Sequence, residues 1–321
     1  MRLLIKTLAV ILALLLTGVV AALWTYRDIP APTLETRYAG PASKFINIDG
    51  VRIHFSDEGT GPPIVLVHGD FESLIDWEPW VQALGDHHRI LRFDLAAHGL
   101  TGPDPDGDYS PARTLALLER LVDALGLRSF VLAGNTSGAR LAVHYTAAHP
   151  ERVQKLILLN PGAVVAMSHG PEQLPRAIRV LQYILPRALV AAVMRRGFGD
   201  PARLDAGRVE RWHELWRREG QRAAALERLA QRSTDDLAPA LGRIRAPVLL
   251  LCGEAAGDGA AQAQQYLQLL GAAGPVRTIG YPGLGHMALE EAGTAIGADV
   301  RAWLDGKPAS PGMDAATAAG I

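Results

Sequence analysis

Phe130-Val131-Leu132-Ala133-Gly134-Asn135-Thr136-Ser137-Gly138-Ala139-Arg140-Leu141-Ala142 is the stretch whose reading decides the fold. The four apolar residues from Phe130 to Ala133 carry the signal of a buried strand, and the residues from Ala139 onward favour helix. Glycines at 134 and 138 bracket the junction, so the chain turns sharply between the two elements. A turn of this kind lifts the side chain at its apex above the end of a sheet. The apex here is Thr136, a secondary alcohol, and the serine of the turn comes one residue later at Ser137.

Working outward, seven further runs read as strands: Phe45-Ile46-Asn47-Ile48, Val51-Arg52-Ile53-His54-Phe55, Pro63-Ile64-Val65-Leu66-Val67, Arg89-Ile90-Leu91-Arg92-Phe93, Lys155-Leu156-Ile157-Leu158-Leu159, Pro247-Val248-Leu249-Leu250-Leu251 and Val276-Arg277-Thr278-Ile279. Most of those from the third onward are continuous rather than alternating, as expected for strands covered on both faces. Helical spacing over 77–84 and 114–125 separates some of them. Strands alternating with helices predict an α/β fold with a mostly parallel eight-stranded sheet covered by helices. Asp49-Gly50 between the first two strands predicts an antiparallel hairpin.

The strand pattern stops between Asn160 and Ile244. Helical segments are expected over 174–192 and 208–231, broken by Pro186 and by Gly197-Phe198-Gly199-Asp200-Pro201. An insertion of about 80 residues is far longer than an ordinary connection. It predicts a helical lid over 163–244, with the core formed by 44–162 and 245–305. The arginines of that insertion read as a solvated helix face. The tail 306–321 is small-residue-rich and is expected to be disordered.

Residues 7–26 form a 20-residue uncharged stretch preceded by Arg2 and Lys6 and followed by Arg27 and Asp28. At about 1.5 Å per residue it spans roughly 30 Å, the hydrocarbon thickness of a bilayer. Trp24 and Tyr26 stand at its far end, where aromatic rings favour the interface. Residues 1–28 therefore read as a membrane anchor with the body of the protein on the exported side. A signal peptide cleaved near Val20-Ala21-Ala22 is the alternative, giving a secreted protein. Ile29-Pro30-Ala31-Pro32 opens a segment, 29–43, that reads as a stiff linker.

A hydrophobic content of 49% supports a substantial core, and a formal net charge of −1 gives no case for a nucleic-acid partner. Cys252 is the sole cysteine, so an intrachain disulfide is excluded, and it follows an apolar run as a buried strand-end residue would. The turn at 134–138 lacks the Lys-Ser/Thr of a phosphate-binding loop, and the histidines do not fall at metal-ligand spacing. No cofactor or metal is implied, and the oligomeric state is not legible.

Five short motifs stand at strand ends in order: His68-Gly69, Asp94-Leu95-Ala96-Ala97-His98-Gly99, Gly134-Asn135-Thr136-Ser137-Gly138, Cys252-Gly253-Glu254 and Gly283-Leu284-Gly285-His286. In that order the chain resembles a lid-bearing α/β-hydrolase over roughly residues 45–304, with threonine where the family's nucleophile elbow usually carries serine. The resemblance implies Thr136 as nucleophile, His286 as base, and an acid after the seventh strand. The family's usual aspartate position there is Ala256, which leaves Asp258, between Gly257 and Gly259, as the acid candidate. It further implies the backbone N–H groups of Asp70 and Ser137 as oxyanion donors. Asp94 and His98 take structural roles in this reading, and Ala97 replaces a usual family glycine.

Two features oppose an ordinary mechanism. An elbow demands positive φ, which strains a β-branched residue by about 1–3 kcal/mol. Asp70 places a carboxylate in the oxyanion loop, where it faces inward, or else turns out to solvent or pairs with an arginine of the lid. Three readings follow: hydrolysis of a small apolar ester or related carbonyl substrate by Thr136, His286 and Asp258; an inactive hydrolase fold that binds a ligand or partner; and chemistry in which Asp70 acts with His286 as proton-transfer pair or nucleophile.

Overall fold

The computed structural model describes residues 2–164, 177–231, 235–255, 259–271 and 274–307. All eight expected strands form: β1 (Ser43–Ile48), β2 (Val51–Glu58), β3 (Pro63–Val67), β4 (Arg89–Phe93), β5 (Phe130–Asn135), β6 (Val153–Leu159), β7 (Val248–Gly253) and β8 (Val276–Tyr281). They make one sheet in the order β1-β2-β4-β3-β5-β6-β7-β8. β1 and β2 pair antiparallel with each other, as does β2 with β4; every later neighbour is parallel. The hairpin turns at Asp49 and Gly50, both at positive φ, with Ile48 opposite Val51. The continuous apolar runs are explained by position, since every residue of β5 and β7 is buried.

Two apolar layers clothe the sheet. On one face Leu118, Leu121 and Val122 of α4 (Pro111–Ala124) and Leu141, Ala142, Val143 and Tyr145 of α5 (Ser137–Ala148) pack against Val65, Leu132 and Leu158. On the other, Trp80 and Leu84 of α3 (Glu78–Leu84) and Ile296 and Val300 of α11 (Ala288–Leu304) cover Ile64, Ala133 and Leu249. Each large side chain fully buried this way stabilises the fold by about 1.5–3 kcal/mol. The remaining sheet-side helix is α10 (Gly259–Leu269), after β7.

Before the sheet come α1 (Arg2–Thr25) and α2 (Ala31–Tyr38). Residues 4–25 of α1 are long and apolar enough to cross a membrane, and none of that span is buried. The expectation of a stiff linker over 29–43 is corrected by α2. Pro32 sits in its first turn, where a missing N–H costs nothing, and Leu34 is fully buried against Leu100 and Leu215. Arg37 and Tyr38 both bind Glu214, so the segment is fastened to the body of the protein.

Between β6 and β7 lie α6 (Arg187–Gly197), α7 (Ala206–Trp216), α8 (Gln221–Gln231) and the short α9 (Ala238–Leu241). The single helix expected over 208–231 is interrupted: α7 ends at Trp216, and Gly220 takes φ +74 before α8 begins. Part of the expected helix over 174–192 lies outside the described residues; within it 178–182 form a 3-10 turn. The tail beyond Lys307 also lies outside them.

Candidate active site

Thr136 joins β5 to α5 with φ 50 and ψ −115, the positive-φ geometry expected of an elbow. The bracketing glycines are steric necessities. A Cβ on Gly134 would collide with the Gly138 carbonyl, and one on Gly138 with the carbonyls of Val67 and His68. Helix α5 thus starts in close contact with the end of β3. The Thr136 N–H donates to the Leu159 carbonyl at 2.9 Å, fixing the apex against β6.

Thr136, Ser137, Asp70 and His286 line one open cavity of about 630 Å³. Four of the five residues proposed from sequence therefore meet at the C-terminal ends of the strands, where an open α/β sheet places its ligands. Asp258, the fifth, lies outside the described residues. The Thr136 hydroxyl packs against the Gly69 Cα, at the start of the loop that carries Asp70. His286 is exposed, and backbone groups of its loop are held in place. Asn160 Nδ2 donates to the His286 carbonyl at 2.8 Å, while Asn160 Oδ1 accepts the Gly253 N–H at 2.8 Å. Met287 N–H donates to the Gly197 carbonyl, and Gly285 N–H donates to Glu291.

Asp70 carries its carboxylate toward a β6–β7 helix: Arg228 Nε of α8 stands 3.4 Å from Oδ1. The neighbouring Glu72 turns inward, where its Oε2 accepts the Gly69 N–H at 2.7 Å and its Oε1 accepts from Asn135 Nδ2 at 2.8 Å. Burial, then the charge of Asp76, pushes Glu72 up to about 8. Asn160, Glu72 and Arg228 were not singled out in the sequence. Apart from Gly69 beside Glu72, their partners lie far away in the chain, and no local spacing marks them.

His68 is fully buried. Its Nε2 accepts the Leu95 N–H at 3.0 Å, which makes Nδ1 the protonated nitrogen, 2.7 Å from the Gly69 carbonyl. Burial holds His68 below its ordinary value, in keeping with a neutral ring. Asp94 has the structural role expected of it, accepting N–H groups of Leu74 and Leu100 at 2.7 and 2.8 Å. It also binds His54 Nδ1 at 2.7 Å, and His54 Nε2 lies 2.9 Å from Ser43 Oγ. Ser43, His54 and Asp94 repeat the bonding order of a catalytic triad, yet none of them lines the described cavities. Their Ser43 hydroxyl is already an acceptor for the Gly40 N–H, so the group clamps β1, β2 and the turn after β4.

A second, apolar cavity of about 250 Å³ adjoins the first, sharing Phe71, Glu72, Val193 and Trp212 as lining. Leu181, Leu185, Met194 and Leu229 line it on the side of the β6–β7 helices.

The family model described as alpha/beta hydrolase fold matches residues 62–293, well over half of the chain. The chain belongs to the α/β-hydrolase fold family. Among curated α/β-hydrolases it is similar to a cis-3-alkyl-4-alkyloxetan-2-one decarboxylase of Shewanella oneidensis, at 32% identity over 157 residues, 48% of each chain. It spans about half the length, or less, of the curated relatives it matches. Among solved structures, Cfl2 from Burkholderia cenocepacia is 26% identical with a TM-score of 0.67, covering 81% of this chain and 95% of that one. A membrane phospholipase A, called a bacterial virulence factor, superposes with a TM-score of 0.69 over 95% of this chain and 99% of that chain. At 22% identity that likeness speaks for the α/β-hydrolase fold alone.

Proposed function

We propose that this α/β-hydrolase is a membrane-anchored esterase whose nucleophile is Thr136. The observation that carries the reading is the backbone of Thr136. A β-branched residue is held at φ 50 at the apex of an elbow and lines a cavity that His286 also lines. Strain of about 1–3 kcal/mol persists where the surrounding structure imposes it, and such positions cluster at working sites.

In the proposed reaction Thr136 Oγ1 attacks the ester carbonyl carbon while its proton passes to His286. The carbonyl oxygen becomes an oxyanion that accepts from the N–H groups of Asp70 and Ser137. Collapse breaks the ester C–O bond, and the departing alcohol takes the proton from His286. Water then attacks the acyl-threonine with His286 again as base, releasing the acid and restoring the hydroxyl. Asp258 orients the histidine. The substrate is a small apolar ester: the alkyl part fits the apolar cavity beside the site, beneath β6–β7 helices acting as a lid.

Anchoring rests on α1, whose apolar side chains find no cover within the chain. Its foot is tied to the segment between α7 and α8 and to the first turn of α8. Arg217 Nη2 donates to the carbonyls of Thr25 and Arg27 at 3.0 and 2.7 Å, and Arg222 Nη2 binds Asp28 at 2.7 Å. Arg2 and Lys6, ahead of the apolar stretch 7–26, support an orientation with the body on the exported side. Nucleophilic attack by Asp70 is less well supported, because its carboxylate lies against Arg228.

The test is ester hydrolysis by the full chain with a serine-hydrolase probe alongside. Thr136→Ala is expected to lose activity and labelling, whereas Thr136→Ser keeps or raises both. Full activity in Thr136→Ala with loss in Asp70→Asn transfers the chemistry to Asp70. Activity present only in Thr136→Ser identifies an inactive fold.

A further inference from the structure

Glu72 bridges the two backbone segments that must converge for an oxyanion to be held. Its two oxygens take the Gly69 N–H and the Asn135 side-chain amide. Gly69 directly precedes Asp70, and Asn135 stands two residues before Ser137. The carboxyl therefore sets the distance between the loop after β3 and the elbow.

Its surroundings are acidic. Glu72, Asp76 of the 3-10 turn 74–77 and Glu290 of α11 are 5%, 4% and 7% exposed, and Asp70 adds a fourth carboxylate from the same loop. The nearby arginines of α7 are engaged elsewhere: Arg211 binds Asp76 Oδ1 at 2.9 Å, and Arg208 binds the Glu290 carbonyl. Arg228 of α8 is paired with Asp70. Neither oxygen of Glu290 has a hydrogen-bond partner among the described residues. No cation hydrogen-bonds Glu72 among them either, so a buried negative charge at Glu72 has no counterion.

Asn135 Oδ1 is buried and also lacks a partner among the described residues. The oxygen and nitrogen of an amide exchange places on a half-turn of the side chain. Turned, Oδ1 faces Glu72 Oε1, and a protonated Glu72 donates to it while its other oxygen keeps the Gly69 N–H. Either protonation state thus holds the bridge. The ionised state alone adds a negative charge behind the developing oxyanion.

We propose that Glu72 is a positioning residue of the oxyanion hole that works as a neutral acid, bridging Gly69 and Asn135, and that its ionisation opposes the reaction. The proposal rests on the hydrolase reading above. Burial and the Asp76 carboxylate bring its ionisation to about pH 8, within reach of a kinetic experiment. Because the folded-state value lies above the unfolded one, the neutral form also stabilises the fold. That contribution is complete below the ordinary glutamate range and is lost as pH rises through about 8.

The experiment compares wild type, Glu72→Ala and Glu72→Gln in detergent, using a short-chain ester from pH 6 to pH 10. For wild type, kcat is expected to fall above about pH 8, approaching tenfold per pH unit for a single ionisation. Glu72→Ala should lower kcat on the order of 10- to 100-fold at every pH, less than loss of an oxyanion donor itself costs. Glu72→Gln, whose amide donates to Asn135 and accepts from Gly69, should recover most of that loss and show no fall at alkaline pH. An alkaline fall identical in Glu72→Gln and wild type overturns the proposal, since a merely structural contact would leave it in place.

Infrared difference titration gives a readout that does not need turnover. A protonated-carboxyl band that disappears near pH 8 should be present in wild type and missing in Glu72→Gln. Wild type without esterase activity sinks the hydrolase reading, and the band then decides Glu72 separately. If the variants fail to fold, wild type lacking a band that titrates near pH 8 overturns the neutral bridge.

Discussion

The hydroxyl of Thr136 occupies the space that a side chain on Gly69 would need. The contact joins the end of β3 to the elbow after β5, two segments that are neighbours only because β3 and β5 pair in parallel. A Cβ on Gly69 would also crowd Glu72 Oε1 and the Asn135 carbonyl at 3.0 and 3.1 Å. Gly69→Ala is therefore expected to lower kcat by at least about 10²-fold and to destabilise by about 1–3 kcal/mol. Adding Thr136→Ala should restore part of the melting temperature and none of the activity. A double-mutant cycle showing simple additivity would remove the contact from the account.

Thr136 itself should trade stability for function. Relief of about 1–3 kcal/mol of strain at φ 50 competes with the roughly 0.5–1 kcal/mol by which glycine favours the unfolded chain. Thr136→Gly is then expected to be more stable by about 1 kcal/mol, raising Tm by about 2–4 °C, and to be inactive. Thermal unfolding followed by fluorescence measures this; a lower Tm would mean the threonine is not strained.

Asn160 holds the backbone of the His286 loop against the end of β7. Because Asn160 has φ 45, glycine is the replacement that removes the side chain without adding strain. Asn160→Gly should reduce kcat on the order of 10- to 100-fold with KM little changed, since a displaced base is a loss of alignment. Steady-state kinetics that instead show a raised KM at constant kcat would assign Asn160 to substrate binding.

The buried histidines give an acid limit to stability. Burial holds His68 below its ordinary value, and the same cause holds His98 well below. A lowered value in the folded state means that stability is complete above about pH 6.5 and is lost as pH falls through the folded value. Tm should therefore drop between pH 6.5 and pH 5. His68→Gln, which keeps one donor and one acceptor for Gly69 and Leu95, should shrink that drop. An unchanged pH dependence in this variant would exclude His68 as a contributor.

The central strands were legible because residues covered on both faces form continuous apolar runs, as β3, Phe130 to Ala133 of β5, Leu156 to Leu159 of β6 and β7 do. The elbow was legible because Gly134 and Gly138 leave the chain few other paths. The segment 29–43 misled, since Pro30 and Pro32 read as stiffness, whereas Pro32 begins a helix that Leu34 pins to the body. The break at Gly220 was missed because helical periodicity runs across it, and only the positive φ marks the turn.

The sequence by itself determined the sheet, the apex residue Thr136 and the histidine loop, because strand burial, glycine turns and motif order are properties of neighbouring residues. Only the tertiary structure decided that Glu72 faces inward while Asp70 meets Arg228, and that Asn160 holds the His286 loop. Those partners stand 63 to 158 residues apart, except for Glu72 and Gly69. Which carboxylate is buried and which is paired depends on what the fold packs around each, and no local pattern encodes that.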